Sequence, residues 1–338
     1  MKTALIGCGK VGHLHAAALS ELSQFTAVCD HAAPRAAAFA AQYGATAYPD
    51  VPALLAAGVE AVVVCTPHPL HAAPTVAALE RGIHVLVEKP LAATVEDCDL
   101  MLAAAARSGA RLGVVSQRRF FEPVLAMKAA VQEGKIGTPI LGTVAMFSWR
   151  DEAYYRSDPW RGKWSTEGGG VLINQAPHHL DILQWLMGPI LSVTGIAANL
   201  NHPYIEVEDT AIANIRFTNG GLGNIVCSLS QNPGIHTKIH IHGSNGYSVG
   251  TQTDGGATFI AGMTGTILEP AYNDLWTIPG ESAPAYSPPA DPIFHYHRLQ
   301  VQDFLEAIAQ DRPFVSPAED GRKVVDLIHK VYASTKEM

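Results

Sequence analysis

Two short segments of this 338-residue chain hold side chains suited to moving a proton and stabilising charge. In Glu88-Lys89-Pro90 a lysine stands beside a proline directly after the apolar run Val85–Val87. The second segment runs from Glu167 through Gly168-Gly169-Gly170 to His178, His179 and Asp181, a glycine-rich turn entering an apolar helix. Asn174, His178 and Asp181 recur there at i, i+4 and i+7, a spacing that puts them on one helical face. Oxidation of an alcohol carbon needs one group to take the hydroxyl proton and another to stabilise the developing alkoxide. The two segments could supply these groups. His179, about 100° round the helix from His178, is expected to be structural.

Such chemistry calls for a hydride acceptor, and the N-terminus offers a place for one. Gly7-Cys8-Gly9-Lys10-Val11-Gly12 follows a strand and opens a helix, the context in which G-x-G-x-x-G marks a dinucleotide site. Gly7 permits the tight turn, Gly9 lets the backbone approach a pyrophosphate, and Gly12 lets helix pack on strand. Free N–H groups around Lys10 and Val11 favour phosphate charge. Asp30 ends the second strand about 20 residues on, where an acid binds the adenosine ribose hydroxyls. A carboxylate there repels a 2′-phosphate, which favours NAD over NADP; His31 and Arg35 are placed to soften that preference. Thr66, Pro67, Glu88, Lys89 and Gln117 follow later strands on the same sheet edge and are candidate cofactor contacts. His71, at the start of the next helix, reads either as a cofactor contact or as a partly exposed histidine. Trp160 and Arg161 precede the second glycine turn and are placed to cover nicotinamide or sugar, although Trp160 reads equally as a loop anchor. Tyr154 is a further substrate-contact candidate.

These residues need a scaffold. In the first third, strand-like runs Thr3–Ile6, Phe25–Cys29, Ala61–Cys65, Val85–Val87 and Leu112–Val115 alternate with helical His13–Leu22, Ala36–Tyr43, Ala72–Gly82 and Val95–Arg107. That alternation predicts a doubly wound α/β domain, a parallel sheet with helices on both faces and its ligand beyond the strands' carboxyl ends. A helix over Phe120–Glu133 follows. Then come the β-type runs Ile140–Trp149, Leu191–Ala198, Ala211–Phe217, Leu222–Ser230 and Thr237–His242, with a hairpin turn at Asn219-Gly220-Gly221. They predict an antiparallel sheet with one face free to meet a partner. Pro and Gly crowd 279–292, which reads as a surface loop, before helices over His297–Gln310 and Ala318–Tyr332.

Composition narrows the function classes. A net charge of −8, with no Lys/Arg run longer than two, argues against nucleic acid and anionic membrane as partners. The longest uncharged stretch, Ile182–Ile205, is broken by Gly188, Pro189 and Pro203 and predicts no membrane span. Met1 and Lys2 lead straight into a strand, so no signal peptide is expected. Five scattered cysteines without a C-x-x-C pair point to reduced thiols, a cytoplasmic location and no metal site. His236, His240 and His242 lack a carboxylate or cysteine to complete a site and read as a polar strand face.

The Gly7–Gly12 turn, Glu88-Lys89-Pro90, the Gly-Gly-Gly…His…Asp segment and Asp320-Gly321-Arg322 closely resemble the glucose–fructose oxidoreductase / inositol dehydrogenase / rhizopine-catabolism (Gfo/Idh/MocA) family over nearly the whole chain. The resemblance implies a Rossmann domain over 1–120 and a substrate-binding and oligomerisation domain over 121–338. The latter is α+β with a large open, mainly antiparallel sheet used for homodimer or homotetramer contacts, the last helix being free to pack back on the first domain. It further implies that Lys89 touches nicotinamide ribose and substrate, that His178 is the general acid/base, and that the Lys89–Pro90 peptide is cis. Many members carry Asp where this chain has Asn174, so no charge is added beside His178 at that position. The Asn174-Gln175-x-Pro177-His178 wording, with Trp160-Arg161-Gly162, is similar to branches acting on pyranosides and anhydrosugars, some at carbon 3. NAD-dependent oxidation of a secondary hydroxyl of a sugar, glycoside or cyclic polyol is therefore expected. An NAD(H)-binding sensor without turnover and an NADPH-dependent sugar ketone reductase are the alternatives.

Overall fold

Short strands with every residue apolar have no face to give to water, and Ala61–Val64 is buried at all four positions. The computed structural model describes residues 1–232, 234, 236–254, 278–281 and 289–336. The chain forms two units, Met1–Phe120 with Pro288–Val325, and Phe121–Ser287 with Asp326–Met338.

The first unit runs β1 (Lys2–Ile6), α1 (Lys10–Leu22), β2 (Gln24–Cys29), α2 (Ala33–Tyr43), β3 (Thr46–Tyr48) and α3 (Val51–Leu55). It continues with β4 (Ala61–Val64), α4 (Ala72–Leu79), β5 (His84–Val87), α5 (Val95–Ser108) and β6 (Leu112–Val114). All six strands are parallel, in the order β3-β2-β1-β4-β5-β6. Alternate residues feed two cores. Ala4, Ile6, Val62 and Val64 pack on one face, and Leu5, Ala61 and Val63 on the other. The order reverses between β1 and β4, which is where open parallel sheets bind ligands.

In the second unit α6 (Glu122–Gln132) precedes β7 (Pro139–Phe147), α7 (Glu152–Arg156), α8 (Trp164–Glu167) and α9 (Pro177–Met187). Then follow β8 (Ile190–Ala198), β9 (Thr210–Phe217), β10 (Leu222–Ser228), β11 (His236–Gly243) and β12 (Ser248–Asp254). The sheet order is β12-β11-β7-β10-β9-β8. Its pairs are antiparallel except β7–β10, which is parallel. Asn219-Gly220-Gly221 turns β9 into β10, with Gly220 at φ 87° and the Asn219 side chain accepting from Gly221 N–H. β9 alternates strictly, Ala211, Ala213, Ile215 and Phe217 inward and Ile212, Asn214 and Arg216 outward.

The chain closes with α10 (Pro292–Ala309) and α11 (Ala318–Lys336). Val301, Phe304 and Leu305 of α10 complete one core of the first unit, and Ala318 and Val325 of α11 the other. Two strands lacked a sequence signal, the three-residue β3 and the polar β12. Helix α1 begins at Lys10, three residues before the apolar periodicity. Of the Pro/Gly-rich span 279–292, residues 282–288 lie outside the described residues. All five cysteines are free and buried. No helix among the described residues is long and apolar enough to cross a membrane.

Candidate active site

The glycine turn follows β1 because nothing larger fits there. Gly7 lies at φ 100°, and a Cβ on it would stand 2.6–2.7 Å from the backbone of Cys65 and Thr66, just past β4. A Cβ on Gly12 would meet the Gly7 carbonyl at 2.7 Å, whereas Gly9 faces open space. Gly9 caps α1 without a side chain, leaving the first N–H groups of Lys10 and Val11 uncapped by any side-chain oxygen. Asp30 is buried beside the turn. Its Oδ2 accepts from Cys8 N–H at 2.9 Å and its Oδ1 from Ala32 N–H at 2.8 Å. Each oxygen keeps a second lone pair for a ribose hydroxyl. His31 and Arg35 stand 3.3 and 3.5 Å from the same carboxylate. The cradle fits a dinucleotide: open backbone at Gly9, bare N–H groups at a helix start, and an acid beyond.

Glu88-Lys89-Pro90 follows β5, and the Lys89–Pro90 peptide is cis. Glu88 is buried and turned into the protein. Its Oε1 meets His15 Nε2 at 2.8 Å and its Oε2 accepts from Lys89 N–H at 3.0 Å. Burial works to raise its pKa, but the His15 bond and positive neighbours outweigh it and hold the group at about 2. His297 Nε2 lies 3.8 Å from Oε1. His15, Glu88 and His297 are the one cluster among the described residues whose ligand atoms group closely enough for a metal ion. Thr66 and Pro67 are half-buried past β4, and Gln117 opens a 3-10 turn after β6. His71 is not the partly exposed histidine of the sequence reading. It is buried, with Nε2 on the Thr66 carbonyl at 2.8 Å and Nδ1 on those of Pro90 and Leu91 at 3.0 and 3.3 Å. It ties the two loops together, and burial lowers its pKa.

In the second unit the glycine-rich turn does not run into one continuous α-helix. Val171–Gln175 is a π-helical turn closed by Ala176 N–H on the Val171 carbonyl at 2.9 Å, and α9 starts at Pro177. Asn174 therefore lies in the π turn, while His178 and Asp181 lie three residues apart in α9. The proline, lacking an N–H, sits at the helix start where that group would be unpaired. A buried acid with no sequence signal holds the π turn. Glu208 accepts from Gly170 N–H, Leu172 N–H and Tyr332 Oη at 2.8, 3.0 and 2.8 Å. Burial pushes its pKa up to about 7.

Asn174 is fixed from below. Its amide donates to buried Glu167, whose other oxygen accepts from Gly162 N–H. Gln175 Nε2 reaches Tyr154 Oη at 2.9 Å and Asn174 Oδ1 at 3.5 Å. Arg161 donates to Tyr154 Oη at 2.6 Å, pairs with Asp158 at 3.1 Å and lies over the Trp160 ring at 4.5 Å. Tyr154, Trp160, Arg161 and Asn174 thus share one polar network, which also contains Arg150, Glu167 and Gln175, none of them singled out from sequence. His178 is buried in α9. His240 and His242 stack at 4.1 Å on β11, and burial with His242 lowers the His240 pKa to about 4; the His236 side chain lies outside the described residues.

Comparison with known proteins places this geometry. Residues 1–116 match the family model described as oxidoreductase family, NAD-binding Rossmann fold, and 124–249 that of the GFO/IDH/MocA C-terminal domain. Curated relatives at 35% and 32% identity are matched over 42% and 57% of their own length, about half. The second of these is the 1,5-anhydro-D-fructose reductase of Ensifer adhaerens, with 57% of this chain covered. The UDP-N-acetylglucosamine 3-dehydrogenase of Acidithiobacillus ferrooxidans is 27% identical over 96% of this chain and 94% of its own. Among solved structures, the WlbA dehydrogenase of Bordetella pertussis, in complex with NADH and UDP-GlcNAcA, superimposes with a TM-score of 0.84. It is 28% identical, with 99% of this chain and 96% of that one covered. The chain belongs to the Gfo/Idh/MocA oxidoreductase family and carries its NAD-binding Rossmann domain.

Proposed function

We propose that the protein is an NAD-dependent dehydrogenase that oxidises a secondary hydroxyl of a sugar, glycoside or cyclic polyol, with carbon 3 of a pyranoside as the favoured position. The observation that carries this reading is the cradle at Gly7–Gly12, shaped by contacts that exclude any side chain at Gly7. Likeness to the UDP-N-acetylglucosamine 3-dehydrogenase across 96% of the chain supports the choice of carbon 3. When bound, NAD supplies the hydride acceptor. Asp30 holds the adenosine ribose, and its charge favours NAD over NADP. Thr66, Pro67, His71, Glu88, Gln117 and Arg161 are assigned to the cofactor's surroundings, His71 and Glu88 through the backbone they fix. Lys89 stabilises negative charge on the reacting oxygen. His178 takes the hydroxyl proton at its imidazole, Asn174 holds a neighbouring hydroxyl, and Trp160 and Tyr154 offer aromatic faces to the ring.

His178→Ala should lower NADH formation by roughly 10²–10⁴-fold while NADH affinity stays near wild type. The assay is NADH fluorescence against a panel of cyclic polyols, pyranosides and anhydrosugars. A fully active variant removes His178 from its role, and tight NAD binding without turnover of any compound replaces the dehydrogenase with a sensor.

The outward face of the second sheet is proposed as the homo-oligomer contact. Ile196, Ile212 and Leu222 expose 49–51% of their surface there, a patch of the kind that marks association. Ile212→Lys should lower the mass seen by light scattering; a monomeric wild type sinks the assignment.

A further inference from the structure

Arg150 stands three residues past β7 and is half-buried. Its guanidinium donates to Gln175 Oε1 at 3.1 Å and to the Trp149 carbonyl at 2.9 Å, while its buried Nε bonds nothing. Around it, charges are matched at contact distance: Arg161 by Asp158 at 3.1 Å, Arg156 by Glu152 at 2.5 Å, His202 by Asp209 at 2.6 Å. Two further carboxylates are engaged as well: Asp151 accepts from Tyr154 N–H at 2.8 Å, and Glu167 accepts from the Asn174 amide and Gly162 N–H. Among the described residues, no carboxylate pairs with Arg150.

A guanidinium drawn partly out of water without a counter-charge is disfavoured, and its fork of donors matches the paired oxygens of a carboxylate or phosphate. The group is also held in place. His202, fully buried and bonded to Asp209, has its Nε2 on the Arg150 carbonyl at 2.8 Å. The guanidinium lies 5.2 Å from the Tyr154 ring, and Gln175 links it to Asn174. We propose that Arg150 binds an anionic group of the substrate, so that the preferred substrate is an acidic sugar, a uronate or a sugar phosphate, rather than a neutral hexose or polyol. This rests on the reading of the Tyr154–Asn174 network as the substrate site.

Calorimetric titration of the NADH-loaded full chain tests it, with methyl β-D-glucuronoside, glucose 6-phosphate and neutral methyl β-D-glucoside as probes. At least one anionic probe should bind at least about ten-fold tighter than the neutral one, and which of the two does so separates carboxylate from phosphate. Arg150→Gln should erase the preference, and Arg150→Lys, which keeps the charge but loses the fork, should retain part of it. Equal binding of all three probes, no binding of any, or a preference that survives in Arg150→Gln overturns the proposal. NADH formation separates it from the dehydrogenase reading. An acidic sugar bound through Arg150 but never oxidised leaves the subsite and removes the enzyme, whereas turnover of neutral sugars without anion preference does the reverse.

Discussion

Two buried acids, one in each unit, are treated in opposite ways. Glu88, in the first unit, meets a histidine and the Lys89 amide and is held ionised, its pKa down at about 2. Glu208, in the second, meets two backbone N–H groups and a tyrosine hydroxyl, and burial raises it to about 7. Three neutral donors do not offset loss of water, while a basic partner does. The first unit thus keeps a fixed charge behind Lys89, whereas the second keeps an acid near neutrality behind the π turn that carries Asn174.

The largest effect should come from the turns themselves. In Gly7→Ala the new Cβ meets the Cys65 and Thr66 backbone and the residue must hold φ 100°, so NADH affinity should fall by more than about a hundred-fold. In Gly170→Ala it collides with the Glu208 carbonyl, which should disrupt the π turn and turnover while NADH affinity changes little. Fluorescence titration with NADH reads both. Equal loss in the two variants would break the separation of cofactor and substrate roles.

Next in size is the loss of a charge's partner. His15→Ala leaves Glu88 buried without its histidine, which should cost about 3–5 kcal/mol in thermal or urea unfolding. Adding Glu88→Gln removes the stranded charge and should recover part of that loss. A double variant no more stable than His15→Ala would show that lost packing, and not charge, is the cause.

Sequence made the first unit far more legible than the second, for a physical reason. Strands buried on both faces, such as Ala61–Val64, must be apolar throughout, and glycines forced by backbone contact stand out at fixed spacing. The second unit depends on side chains that meet across long stretches. Glu208 lies 38 residues from the Gly170 amide it holds and 124 from Tyr332. The parallel pairing of β7 with β10 leaves no trace in either strand's alternation, and the π turn hides inside a run that reads as ordinary helix. β3 escaped notice because three residues, two of them exposed, carry no period. Arg150 did carry a faint signal, a cation just past an apolar strand, but its meaning depends on where its carboxylate neighbours are spent.

The smallest effect is the one most specific to the contrast, because the two acids give stability opposite pH slopes. Glu88, held below its ordinary value of 4.5, stabilises the fold above that pH, and the contribution fades as pH falls toward 2. Glu208, held above 4.5, keeps its proton in the folded state while the unfolded chain has lost it. Between pH 4.5 and about 7 the fold therefore binds more protons than the unfolded chain, so stability declines with rising pH across that window and levels above it. Glu208→Gln cannot ionise, so its unfolding midpoint should lose that decline, a difference on the order of 1–3 kcal/mol between the ends of the window. His15→Ala, which leaves Glu208 untouched, should keep the decline at its wild-type slope. A Glu208→Gln profile parallel to wild type between pH 4.5 and 7 would mean that Glu208 is ionised throughout, its three donors balancing burial as fully as His15 does for Glu88.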